Sequence, residues 1–244
     1  MTEMNRRNAI KTVVGAIGTT VALSSYSLFA GDKENVALGK NKPLVDDIAV
    51  KPLPFDAKKL HGISEKLILS HWENNYAGSV KTLNAVNKKL SDALADKDFP
   101  PFAYNGLKRE HLMRTGSVVF HELYFGNLGG DGKPSGDIEK LVKKFFGNWS
   151  RWEAEFRKIA QGLGGGSGWV ILGYNAHLKR LENYWAADHM HFAGGSIPLM
   201  VMDMYEHSYQ MDYGAAAAKY IEAFFQNIAW EPVEARLAQA LKLV

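Results

Sequence analysis

The spacing of apolar residues changes period partway along this chain, and that change limits the folds open to it. From Ser64 to about Leu94, the residues Leu67, Ile68, Trp72, Val80, Leu83, Val86 and Leu90 recur at helical spacing behind a serine placed as an N-cap. After the break Asp98-Phe99-Pro100-Pro101, a second helical pattern runs from about Leu107 to Phe125, and Gly126 to Gly136 then brings Gly, Asn, Asp and Pro together. The second half has shorter elements. Asp137 to Phe146 and Trp149 to Gly162 read as two helices, followed by a glycine-rich stretch to Gly168. Trp169 to Tyr174, Leu181 to Ala186 and Ile197 to Met204 are apolar runs of strand length, and Ala215 to Ile228 and Glu231 to Leu241 return to helix. The pattern predicts an α+β fold: an N-terminal antiparallel helical hairpin over 53–136, then a C-terminal domain over 137–244 with a small three-stranded antiparallel sheet and helices.

Composition narrows the chemistry. With 244 residues of which 46% are hydrophobic, there is ample material for a core. The formal charge of +3 falls to +1 without the N-terminal Glu3, Arg6, Arg7 and Lys11, which together contribute +2, so neither nucleic acid nor an anionic membrane is indicated as a partner. Cysteine is absent, which removes disulfides, thiolate metal sites and a cysteine nucleophile. Any metal must be held by His, Asp and Glu.

The N-terminal segment Asn5-Arg6-Arg7-Asn8-Ala9-Ile10-Lys11, followed by a mildly apolar run from Thr12 to Ala30, resembles a twin-arginine signal. Gly15, Gly18, Thr19, Thr20, Ser24, Ser25 and Ser27 make that run poorly hydrophobic for a spanning helix. The expectation is a signal over residues 1–30, an extended lead-in over 31–52, a periplasmic or otherwise exported location, and no stable membrane association once the signal is removed. The twin-arginine route carries folded proteins, which suits a protein that loads a metal before export.

Sorting the eight histidines by context leaves His71, His121 and His207, with Asp203, as candidate ligands inside mostly apolar segments. His71, Asn75 and Ser79 lie four residues apart, hence on one helical stripe. His121 follows Val118-Val119-Phe120 on the second helix. Asp203 ends a strand, and His207 follows after Met204-Tyr205-Glu206, so carboxylate and imidazole can converge. Three imidazoles and one carboxylate without a thiolate suit a redox-active first-row ion such as iron or manganese, with zinc open on ligand type alone.

Several separated elements then resemble the iron/manganese superoxide dismutases. They are Lys51-Pro52-Leu53-Pro54-Phe55-Asp56-Ala57 with Ile63-Ser64, Gly166-Ser167-Gly168-Trp169, Pro198-Leu199, Asp203-Met204-Tyr205-Glu206-His207-Ser208-Tyr209 and Ala229-Trp230-Glu231. They stand in the family's order and cover about residues 50 to 240. The resemblance implies one iron or manganese ion per chain, iron favoured, held by His71, His121, Asp203 and His207. It also implies conversion of superoxide, the small-molecule substrate, to oxygen and hydrogen peroxide, and a homodimer. His189 would hydrogen-bond the metal-bound solvent, since Asp188-His189 resembles the branch with His at that position. Glu206 would accept a hydrogen bond from His207 of the partner subunit.

The departures from the family fall around those ligands. Ser79 stands where the family has a gateway Tyr, Asn75 where it has a His, Tyr205 and Phe125 where it has Trp, and Gln210 where a Tyr reaches across the dimer. Ser117 takes the alternative position for the solvent-bonding residue. The implied result is a wider entrance at Ser79 and proton delivery through solvent. The competing reading is a metal-binding member of the fold with another redox activity or no catalysis.

Overall fold

The computed structural model describes residues 47–134 and 136–243; the expected signal and residues 31–46 of the lead-in lie outside the described residues. A short 3-10 turn, Ala57–Lys59, is capped by the Asp56 side chain. Helix α1 (Glu65–Ser70) starts where Ser64 accepts from the Leu67 N–H at 3.1 Å, satisfying one of the donors that a first turn leaves free. Ser64 is itself held from a distant segment, because the Asp212 carboxylate accepts from its N–H and its hydroxyl at 2.7 Å each.

The long first helix of the sequence reading is interrupted. Residues His71–Tyr76 form a π-helix in which the Ala77 N–H reaches back five residues to the Trp72 carbonyl, and regular helix resumes as α2 (Ala77–Ala95). Such widened turns are uncommon and often mark functional positions. Helix α3 spans Pro101–Phe125, six residues longer at its start than the apolar spacing indicates. Pro101 opens the helix, where its missing N–H leaves no bond unmade, and the Pro100 carbonyl accepts from Ala103 and Tyr104 at 3.0 Å. This first turn escaped the periodicity because it is solvated, with Phe102 80% exposed.

Helices α4 (Asp137–Phe146) and α5 (Trp149–Leu163) follow, the latter capped by Asn148. The sheet comprises β1 (Trp169–Asn175), β2 (Arg180–Ala186) and β3 (Ser196–Asp203) in the order β2-β1-β3, both pairings antiparallel. All seven residues of β1 are buried, as expected of a central strand covered on both faces. Trp169 pairs with Ala186 on one side and Asp203 on the other, so the start of β1 stands beside the end of β3. The register of β3 shifts at Leu172/Gly173, where Pro198, unable to donate, is tolerated beside a bulge in a strand with one neighbour. A 3-10 turn Glu206–Ser208, α6 (Gln210–Tyr213), α7 (Ala217–Gln226) and α8 (Trp230–Lys242) complete the chain.

One core runs through both halves, from Leu67, Ile68 and Tyr124 in the helical region through Trp169 and Met202 in the sheet to Phe224 and Leu237 in the last helices. The change of period at Gly126 to Gly136 is thus a change of secondary structure within a shared core. Two polar clips fix α3 against β3. Asn127 Oδ1 accepts from the Val201 N–H at 2.9 Å and its Nδ2 donates to the Val201 carbonyl at 3.2 Å. The half-buried Arg236 of α8 donates to the Gly126 carbonyl at 2.9 Å and to that of Leu199, placing a cation where the carbonyls of α3 end.

Candidate metal centre

Three stretches distant in sequence meet at one carboxylate oxygen. His71 opens the π-helix, His121 sits one turn before the end of α3, Asp203 is the last residue of β3, and His207 lies in the following 3-10 turn. The Nε2 atoms of His71, His121 and His207 stand 3.1, 3.7 and 3.3 Å from Asp203 Oδ2. A donor atom from each of the four residues lies within 4.8 Å of the other three. His71, His121 and Asp203 are buried, and the His207 side chain keeps 29% exposure.

Hydrogen bonding fixes which atoms are free. His121 Nδ1 lies 2.7 Å from the Ser117 carbonyl, an acceptor only, so Nδ1 carries the proton and Nε2 presents a bare lone pair toward Asp203. Among the described residues, His121 Nε2 and His71 Nδ1 are buried without a hydrogen-bond partner, and His71 Nε2 is buried with only the Asp203 carboxylate beside it. Burial lowers the basicity of both rings, pushing His121 down to about 3 despite the nearby carboxylate. For Asp203, burial alone would favour the neutral acid. The charge of His207 and the contacts with His207 and His71 outweigh it and hold the carboxyl well below the usual range. The Asp203 charge likewise overcomes burial at His207 and raises that ring.

An anionic oxygen facing the bare lone pair of the neutral His121 ring is repulsive unless a cation lies between them. Donor bonds of about 2.0–2.2 Å to one ion put neighbouring donors roughly 3 Å apart, the order of the spacing seen. These residues therefore fit a first-row metal ion.

The surroundings of the cluster are aromatic. Trp169 Nε1–H donates to His189 Nδ1 at 3.0 Å, so His189 has its proton at Nε2 when neutral. Tyr205 stacks on His189 at 4.9 Å between centroids and on His207 at 5.3 Å. His189 stands 6.0 Å from His121, centroid to centroid. Ser79 is buried, and its hydroxyl meets that of Ser117 at 2.8 Å, so the side chain faces α3 instead of an open entrance. Asn75 is half-buried in the π-helix and Glu206 is exposed.

Sequence reasoning gave no role to the residues that hold Asp203 from behind. The Tyr220 hydroxyl donates to the Asp203 carbonyl at 2.9 Å and lies 3.1 Å from the Tyr124 hydroxyl; Ser208 Oγ lies 3.0 Å from that carbonyl and 2.7 Å from the carbonyl of Tyr205, with one proton to share between them. Asp203 Oδ1 accepts from the Tyr205 N–H at 2.8 Å. Tyr124 could have been noticed three residues after His121, one helical turn on. Tyr220 carries no such signal.

The family profile for iron/manganese superoxide dismutases, C-terminal domain, matches residues 134–236. The chain is 49% identical to the superoxide dismutase [Fe] of Cupriavidus metallidurans, across 79% of this chain and 98% of that protein. It is 36% identical to the superoxide dismutase [Fe] of Aquifex pyrophilus, covering 76% and 89% of the two chains. It is 31% identical to superoxide dismutase [Mn] 1 of Haloferax volcanii, covering 82% and 99%. The chain belongs to the iron/manganese superoxide dismutase family.

Replacing Asp203 or His121 by Ala should abolish stoichiometric iron or manganese binding, read by elemental analysis of the purified chain. Either variant should melt about 5–10 °C below the metal-loaded wild-type chain, the scale expected when a ligand well above its dissociation constant is lost. One ion per chain retained in either variant would show the cluster to be the wrong site.

Proposed function

We propose that this chain is a superoxide dismutase that uses one iron or manganese ion held by His71, His121, Asp203 and His207. The observation that carries the reading is the convergence of three imidazole nitrogens on one buried, anionic carboxylate oxygen. Iron is favoured, in keeping with the Cupriavidus relative's name. A bound ion of this kind supplies a one-electron couple, by which one superoxide is oxidised to oxygen and a second, with two protons, is reduced to hydrogen peroxide.

The chain's own residues would orient the ligands and handle protons. Ser117 fixes the tautomer of His121, and Tyr205 restricts the His189 and His207 rings by stacking. His189, with Nδ1 engaged by Trp169, has an Nε2–H free to donate toward solvent at the site. We assign it the hydrogen bond to that solvent. Ser79 and Asn75 are groups that do not titrate near neutral pH, so they would serve as fixed dipoles. The departures from the family pattern are thus concentrated in the groups around the ligands. The helical region is proposed to be an antiparallel hairpin, a reading supported by His71 standing by Tyr124 while Ser79 meets Ser117.

Purified metal-loaded protein should remove superoxide faster than the same concentration of free ion. Activity equal to that of free ion would replace this reading by a metal-binding protein with another redox activity or none.

Glu206 is exposed beside the partly exposed His207, and a second copy covering this face would let Glu206 orient His207 of the partner subunit. Light scattering should then give a dimer at micromolar concentration, shifted toward monomer in Glu206→Ala; a metal-loaded monomer would rule the pairing out. Residues 1–30 are proposed to direct twin-arginine export to the periplasm. Fusing them to a folded reporter should send it there, and Arg6→Lys with Arg7→Lys should retain it in the cytoplasm; equal export of both fusions would exclude this route.

A further inference from the structure

The loop between β2 and β3, residues 187–195, places the His189 ring 6.0 Å from that of His121, centroid to centroid, and that loop packs on the helix carrying His121. Gly116 is buried in α3, five residues before His121. A Cβ at this position would lie 1.7 Å from the His189 carbonyl oxygen, 2.8 Å from its carbonyl carbon and 3.2 Å from Phe192 Cζ. Helix backbone and loop backbone are therefore in direct contact, closer than any side chain permits. A second foothold lies one turn on, where Phe120 packs against Phe192 with ring centroids 4.9 Å apart. Glycine inside a helix is unfavourable by propensity, so a glycine that meets a neighbouring backbone has a packing reason to be there. Gly106, on the same helix, has nothing within 4 Å of its Cβ position among the described residues and serves as the contrast.

We propose that the bare backbone at Gly116, with the Phe120–Phe192 contact, is the seat that sets where the His189 ring stands relative to His121. Gly116 is thereby a positioning residue for the reaction. To bring the contact out to even 3.0 Å, an alanine at 116 must push the His189 carbonyl back by about 1.3 Å. The ring is held by two partners on other elements, the Trp169 N–H at 3.0 Å and the stacked face of Tyr205 at 4.9 Å. Neither partner follows the loop, so a displacement of this size breaks the indole hydrogen bond. The consequence for turnover rests on the dismutase reading; the consequence for the Trp169–His189 bond does not.

The test follows the Trp169 indole N–H by nuclear magnetic resonance in the zinc-loaded chain, assigned with Trp169→Phe, alongside superoxide turnover of the iron- or manganese-loaded chain. In Gly116→Ala the ion content should stay at one per chain. Its indole resonance should move to the position seen in His189→Ala, and turnover should fall by about ten- to hundredfold, the scale of a displacement near 1 Å at a reacting centre. In a His189→Ala background the same substitution should change turnover by less than about twofold, since both act through one group. Gly106→Ala should leave resonance and turnover unchanged. An unmoved indole resonance in Gly116→Ala, or a full further loss of turnover on top of His189→Ala, would overturn the proposal. Should Gly116→Ala fail to fold, Phe192→Ala removes the other foothold at a residue 43% exposed. It should shift the same resonance, and an unshifted one would overturn the seat. If wild-type chain removes no superoxide beyond free ion, the dismutase reading fails while the indole resonance still decides this point.

Discussion

The arrangement around the buried Asp203 carboxylate governs the rest of the molecule. A fully buried anion is costly unless it is paired, and here its Oδ2 faces three imidazole nitrogens, two of them on rings that burial keeps neutral. Its other polar atoms are spoken for: Oδ1 by the Tyr205 N–H, the carbonyl by Tyr220 and Ser208. Only the direction toward the histidines is left for a ligand. The chain supplies Asp203 and His207 from adjacent positions, whereas His71 and His121 come from helices far back in sequence. Ordering those distant segments loses conformational entropy, and the clips at Asn127, Arg236 and Ser64 are where the fold offsets it.

Those clips also explain how a polar site stays rigid between a helical region and a sheet. Asn127 joins the strand ladder through Val201, two residues before Asp203, so the end of α3 is in effect registered against β3. Arg236 adds a cation beneath the last turn of that helix and reaches the bulge residue Leu199. His121 and Asp203 therefore cannot shift apart without breaking bonds between buried groups, each of which is expensive to leave unmade.

Much of this was legible in the sequence because burial writes itself into periodicity. The strands and most helices match the apolar spacing closely, and the four clustered residues stand out as polar groups inside apolar runs. What was not legible has specific causes. The start of α3 is solvated, so it has no apolar stripe, and its prolines read as a break although proline is well placed in a first turn. The π-helix at His71–Tyr76 depends on packing that no local pattern encodes, and it alters the stripe on which Asn75 and Ser79 were placed. The bond from Trp169 to His189 joins a strand to a loop and needs the register of the sheet before it can be seen.

Reading residues one at a time also conceals how they combine. Ser79 and Ser117 are short polar side chains on the two helices that precede the sheet, and in the sequence neither points to the other. In the structure they are one unit: the two hydroxyls are 2.8 Å apart, and Ser117 Oγ lies 3.3 Å from His121 Nδ1. Two short side chains on facing helices together span the gap and stay hydrogen-bonded while buried, which a serine opposite an apolar residue could not do. The phenols nearby have the same character. Burial raises Tyr76 to about 12 and holds Tyr124, Tyr205 and Tyr220 above the usual phenol range, so each remains a neutral hydroxyl. The shell around the cluster is therefore built of oriented dipoles and aromatic faces, and the net charge of the centre is left to Asp203 and whatever cation the four residues bind. Dipoles fixed in advance need no reorganisation when charge changes at the centre, and that property suits a site whose chemistry is the gain and loss of single electrons.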